Sequence, residues 1–317
     1  MYNNAWLSPS AAWLITQCPA AASPSSGSVP AAAGAAADAG SLAHEAVRRW
    51  IQQGLSRSDP AGVGLMGAFD KAADAAGVRA ASIERGVLTR ARLRRAAPAL
   101  AAALGKAPDE AVECEVTMED SVIRLRGRAD VVIAHGDTAV LDLKTTIHEE
   151  AVASVQVRQQ LLLYAHLFQV RYGELPRRLE IVSLARGRIA VPFTADDIAG
   201  ALRGLANARR DAGGPATPSL TACRFCRRRL ECGAHWGLSP EDRPDTVTGR
   251  ILKLRAAANG SVGLMIEPDV WVTQLRPGQV PHGARPGALV RLIFLRGPAS
   301  PGLEWRATAR TWGVSLD

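Results

Sequence analysis

The sequence predicts an α/β protein with a small β-rich domain at its C-terminal side. Three observations carry this. Residues 126–146 read as two strands joined by a tight turn: Val131, Val132 and Ile133 are a β-branched run, His135-Gly136-Asp137-Thr138 is the turn, and Ala139 to Leu143 resumes the strand. Stretches of helical spacing lie on both sides of this hairpin. Beyond about residue 246, short strand-like segments alternate with Gly/Pro turns and helical spacing disappears.

Taken in order, Ser8-Pro9-Ser10 is a helix start, with the helix running over Ala11 to Cys18. An Ala/Gly/Ser/Pro stretch at about 20–40 reads as a loop. Ser41 is expected to cap a helix from Leu42 to Gln53, whose apolar stripe is Leu42, Val47, Trp50 and Ile51 and whose first turn carries His44. An Ala- and Arg-rich helical insertion follows at about 55–110. Val112 to Val116 and Ser121 to Leu125 are expected strands. The hairpin leads to a helix from Ala151 to Tyr172, on which Gln160 and Tyr164 are four apart and share a face. Strands are expected at Leu179–Leu184 and Ile189–Phe193, then a helix from Thr194 to Arg210 with Asp196 and Asp197 in its first turn. Glu241 to Asp245 is a linker. Five strands follow, at Thr248–Leu254, Val262–Ile266, Val270–Leu275, Ala288–Leu295 and Trp305–Thr311, a pattern that fits a small OB-like barrel. The division is therefore 1–240 and 246–317.

The formal net charge is +8, and 34 of the 38 basic residues are Arg. Such a surface suits an anionic polymer. No apolar run approaches membrane-span length. Leu14 to Cys18 is similar to a lipoprotein cleavage site, but no basic residue precedes it, so a cytoplasmic location is expected.

The hairpin holds Asp130, Asp142 and Lys144. Alternation puts Asp142 and Lys144 on one side and Leu141 and Leu143 on the other. An acid beside a lysine is either a salt-bridged edge or, opposite a second acid, a place for a divalent metal beside a reacting phosphate. Five cysteines are present, and Cys223, Cys226 and Cys232 form a C-x2-C-x5-C array of metal-ligand spacing. A fourth ligand must come from Cys18 or Cys114. One distant thiol plus three clustered ones suits an Fe–S cluster better than zinc.

Taken together, Ser8-Pro9-Ser10 with Cys18, Gly40-Ser41-Leu42-Ala43-His44, Gly127-Arg128-Ala129-Asp130, Asp142-Leu143-Lys144, Gln160 with Tyr164, and the closing cysteine array resemble the RecB-like branch of the PD-(D/E)XK nucleases. Order and spacing are similar to the iron–sulfur members found in helicase–nuclease complexes and in CRISPR adaptation. The resemblance covers about residues 5–238. It implies a restriction-endonuclease-like core with a central mixed sheet flanked by helices, and DNA cleavage dependent on Mg2+ or Mn2+. It implies metal ligation by His44, Asp130, Asp142 and the Leu143 carbonyl, with Lys144 orienting or activating the attacking water and Gln160 and Tyr164 positioning the DNA strand. It also implies a 4Fe-4S cluster on Cys18, Cys223, Cys226 and Cys232. Glu113 or Glu115 is a further acidic partner. The Ala/Gly/Ser stretch after Cys18 departs from the basic or aromatic segment usual in the family.

The C-terminal segment resembles cold-shock or S1-like OB folds, which bind single strands on surface aromatics. Only Trp271 keeps an aromatic at those positions, so binding of nucleic acid and docking of a protein both stay open. Two functions follow. One is a metal-dependent DNA nuclease, acting on ends or single strands in repair, recombination or phage defence, with a helicase or other partner. The other is a catalytically silent DNA-binding or scaffolding subunit. The unbroken set His44, Asp130, Asp142, Lys144, Gln160 and Tyr164 favours the first.

Overall fold

The computed structural model describes residues 5–22, 39–59, 61–83, 85–145, 154–224, 226–298, 304–308 and 310–317. Thr146 and the loop expected beyond Ala22 lie outside them. The chain packs as two compact units, the first ending at Gly214 and the second running from Pro215 to Asp317.

The first unit is built on a mixed five-stranded sheet in the order β1 (Val112–Asp120), β2 (Leu125–Ile133), β3 (Ala139–Lys144), β4 (Arg178–Ser183), β5 (Gly187–Ala190). Only the β3–β4 pair is parallel. A parallel pair needs a long crossover, and α5 (Val155–Tyr172), capped by Ser154, lies on that path. Helices α2 (Ala39–Gln52), α3 (Val63–Ala75) and α4 (Gly86–Leu104) share a core with Val131, Ile133, Leu141, Leu143 and Val182. The helices α1 (Pro9–Gln17), α5 and α6 (Ala195–Arg210) contribute to a second core with Val132, Val140, Leu179 and Ile181. Ala139, Leu141 and Leu143 of β3 thus feed the first core and Val140 the second, so the face that goes on to Asp142 and Lys144 is apolar only at its Val140 end. The insertion at about 55–110 is α3 and α4, two of the three helices in the first core.

Two expectations of local structure change. Ser41 lies inside α2, which begins at Ala39, rather than capping it. Ser121 to Arg124 form the turn between β1 and β2, not a strand, because the Asp120 carboxylate takes the backbone N–H groups of Val122 and Ile123 at 2.8 and 3.2 Å. An acid that satisfies two successive amides ends a ladder there. At α6 the Thr194 and Asp197 side chains form a reciprocal capping box.

The second unit carries a six-stranded, largely antiparallel sheet, β6 (Thr246–Ala256) to β11 (Trp312–Ser315), in the order β10-β8-β7-β6-β9-β11. A closed barrel of five strands was expected. The final expected strand is instead split into β10 (Glu304–Arg306), parallel to β8 (Val270–Leu275), and β11, antiparallel to β9 (Leu289–Ile293). Thr308 and Thr311 sit in the break, and both hydroxyls bond the Phe294 carbonyl. Among the described residues the strands form no closed ladder; one isolated bridge, between Arg296 beyond β9 and Arg306 on β10, is all that joins the two sides. The cysteine arm packs against this sheet. The Arg229 guanidinium is buried, pairs with both Asp245 oxygens at 3.1 and 2.8 Å, and lies 4.0 Å from the Phe294 ring centroid.

Candidate metal centre

The centre forms where β2 and β3 part. Their ladder ends at the Val131–Leu141 pair. The next inward amide, Leu143 N–H, donates to Asp130 Oδ2 at 2.7 Å instead of to a strand carbonyl. A side chain substituting for a strand at that point leaves the two acids facing an opening while both strands stay anchored.

From the α2 side, His44 Nδ1 lies 3.0 Å from Asp130 Oδ1 and 4.0 Å from Glu115 Oε1. From the α5 side, Gln160 Nε2 donates to Asp142 Oδ1 at 3.2 Å. Lys144 Nζ donates to the same oxygen at 3.1 Å and lies 2.8 Å from Oδ2 as an ion pair. Asp142 is only 6% exposed, so its carboxylate meets this ammonium away from water. Tyr164 is also buried, and its hydroxyl donates to the Arg128 carbonyl on β2 at 2.8 Å. Of the expected residues, His44, Asp130, Asp142, Lys144 and Gln160 thus converge through their side chains, and Leu143 through its amide. Tyr164 holds the strand that carries Asp130.

The electrostatics are those of crowded acids. Burial raises the Asp142 pKa to about 6, the Lys144 ammonium acts against this, and the nearby Asp130 charge adds to it. Burial opposes protonation of His44. Its bond to Asp130 and the charges of Asp130, Glu115 and Asp142 outweigh that and hold its pKa above the ordinary imidazole value. Burial pushes the Cys114 thiol up to about 11, consistent with a structural thiol.

The choice between Glu113 and Glu115 rests on one backbone torsion. Strand alternation would aim both to the same side. Glu115 has φ 56°, and the β1–β2 pairing skips it between Cys114 and Val116. Its carboxylate consequently reaches His44 on α2, while Glu113 bonds Tyr172 and Arg171 on α5. A bulky side chain held in the left-handed region costs on the order of 1–3 kcal/mol, and such positions cluster at functional sites.

These groups fit a divalent cation. One ligand atom from each of His44, Glu115 and Asp130 lies within 4.8 Å of the others, and the buried Asp142 carboxylate beside them carries the Lys144 ammonium 2.8 Å from Oδ2. Carboxylate oxygens with one imidazole suit Mg2+ or Mn2+. Comparison with known proteins decides the family. The model of the PD-(D/E)XK nuclease superfamily matches residues 6–233. The chain belongs to that superfamily. Its members are in general metal-dependent phosphodiesterases, and the acids described above lie inside the matched span. Among solved structures, one described as the crystal structure of SSO0001 is 18% identical, covering 61% of this chain and 96% of that chain with a TM-score of 0.31. No curated protein matches.

The cysteines expected to hold a cluster fall in different parts of the chain. Cys18 ends α1, with its N–H on Leu14 O. Cys223 ends a short helix, Leu220–Cys223, Cys226 precedes a turn over Arg227–Leu230, and Cys232 precedes the helix Gly233–Trp236. Among the described residues no two cysteines are joined in a disulfide. Three residues after Cys232, His235 is 1% exposed, and neither ring nitrogen has a hydrogen bond. The sequence reading passed over this histidine; a C-x2-C-x5-C-x2-H spacing was the signal. Trp271 lies on β8, with the Arg255 guanidinium 5.6 Å from its ring centroid. Among the described residues, no helix is long and apolar enough to cross a membrane.

Proposed function

We propose that this protein is a metal-dependent deoxyribonuclease of the RecB-like branch, hydrolysing DNA phosphodiester bonds at ends or in single strands, in repair, recombination or phage defence. The observation that carries the reading is the Lys144 ammonium beside a buried Asp142 carboxylate, with Asp130 and His44 at the same strand opening. The proposed ligands are His44, Asp130, Asp142 and the Leu143 carbonyl. A bound Mg2+ or Mn2+ ion lowers the pKa of water and neutralises charge on a scissile phosphate. Lys144 orients the attacking water and stabilises negative charge developing on phosphate oxygens. Gln160 fixes the Asp142 carboxylate, and Tyr164 fixes β2 through the Arg128 carbonyl, so both position the site through other residues. The C-terminal sheet is read as an OB-like module that presents Trp271 and Arg255 to a single strand, and a helicase as a partner in the cytoplasm. The test is cleavage of labelled DNA by the full chain with manganese. Cutting by the wild type that Asp142→Ala lacks supports the reading, and equal rates overturn it.

In this reading Cys18, Cys223, Cys226 and Cys232 hold a 4Fe-4S cluster, a donor set of thiols suited to iron and sulfide. Buried His235, without a hydrogen bond on either nitrogen, favours a second assignment of the fourth position. Iron and acid-labile sulfide in anaerobically purified protein separate the two. About four iron atoms per chain are expected, lost in Cys18→Ala and kept in His235→Ala. The reverse pattern assigns the position to His235, and one zinc without iron rules the cluster out.

A further inference from the structure

Glu115 joins the centre to a guanidinium outside it. Its Oε1 lies 4.0 Å from His44 Nδ1, inside the His44–Asp130 group. Its Oε2 lies 2.7 Å from Arg128 Nε. Arg128 follows Gly127 on β2, two residues before Asp130, and its side chain is 69% exposed. It borders an open groove of about 760 Å³ whose lining includes His44, Arg48, Glu115 and Asp130. The other guanidinium on this groove, Arg48, is held by Glu45 through two nitrogens, at 2.8 and 2.6 Å. Arg128 is engaged through Nε, and among the described residues its terminal nitrogens donate to no other protein group.

We propose that Glu115 is a further carboxylate of the metal centre, facing the cation through Oε1 and holding Arg128 through Oε2 as a clamp for a phosphate of the bound DNA strand. The inference rests on the nuclease reading and deepens it. A guanidinium fork fixed at Nε still offers its two terminal nitrogens to phosphate oxygens in a planar, bidentate arrangement. The left-handed φ of Glu115 has a use in this account, because an extended conformation would aim the carboxylate towards α5, as at Glu113. Charge balance also favours the arrangement. A divalent cation beside Glu115 offsets part of the carboxylate charge, so the Arg128 positive charge becomes available to the strand.

The test uses the full-length protein and two readouts. The first is Mn2+ affinity without DNA, from the loss of the free-ion EPR signal. Glu115→Gln is expected to weaken it about tenfold or more, and Arg128→Ala to leave it unchanged. The second is binding of labelled single-stranded DNA with Ca2+ as the cation, across a salt series. Arg128→Ala is expected to weaken binding at every sequence and lower the log–log salt slope by about one contact, with Arg128→Lys recovering the slope but only part of the affinity. Wild-type Mn2+ affinity in Glu115→Gln, or an unchanged salt slope in Arg128→Ala, overturns the inference while wild-type cleavage stands. Wild-type protein that neither binds Mn2+ nor cuts DNA overturns the nuclease reading and this inference with it.

Discussion

Gly127 lies where α1 and α5 both close on β2. A Cβ there would sit 2.5 Å from Tyr164 Cε1 and 2.8 Å from Pro9 Cδ. Pro9 begins α1 and Tyr164 is buried, so neither can move without disturbing a core. Gly127→Ala is therefore expected to cost about 1–3 kcal/mol, the range for overpacking, seen as a lower midpoint in urea with unchanged slope. A midpoint equal to the wild type would show that the contact relaxes freely. At this scale the sequence was legible where residue type alone carried the meaning. Asp142 and Lys144 share a side of β3 because alternation requires it, and Lys144 meets Asp142 as that pattern implies. His44 has no local signal of its own on the helix; the family resemblance marks it, and the fold sets it against Asp130, 86 positions away. Glu115 could not be told from Glu113, because the difference is a backbone torsion that period-two alternation does not encode.

Elements with a strong period were found close to their limits, and those ended by a side chain were not. The β2–β3 hairpin, the Thr194-capped α6 and the start of α1 at Ser8 follow from pattern and cap chemistry. The β1–β2 turn was misread as strand because Val122 and Ile123 are β-branched, although Val122 is exposed on the turn. Asp120 overrides that propensity through its two turn amides, and it also accepts from His166 Nε2 on α5 at 2.7 Å. Burial works to raise the Asp120 pKa, but the His166 bond and the two amides outweigh it and hold the carboxyl below its ordinary value of 3.8. A depressed acid contributes stability that is present above its unfolded pKa and lost as pH falls through the lower folded value. Asp120→Asn is expected to be less stable than wild type by about 1–3 kcal/mol at pH 7. The gap should shrink once the pH falls below about 3.8. Thermal melts of both proteins from pH 7 to pH 2.5 check this, and a gap independent of pH would remove the ionised carboxylate from the explanation.

On the scale of the whole molecule, the order of strands and helices was readable, and the packing of the cysteine arm was not. A mixed sheet with helices on both faces follows from strands interleaved with long helices, and the superfamily match spans that region. The arm at Cys223–Cys232 packs in the same unit as the C-terminal sheet because Arg229 reaches Asp245 and Phe294, a long-range pairing that no local period announces. The net charge of +8 suits a polyanionic substrate, but charge alone assigns no chemistry. That assignment rests on the acids and lysine at the opening of β2 and β3. Its most direct test is single-turnover cleavage of end-labelled DNA at saturating Mn2+, comparing wild type, Asp142→Ala and Lys144→Ala, with Mn2+ affinity measured alongside. The account predicts a loss on the order of a hundredfold or more in both variants, with Mn2+ affinity reduced in Asp142→Ala and kept in Lys144→Ala. Cleavage by Lys144→Ala at the wild-type rate, or no manganese-dependent cleavage by wild type, would contradict it.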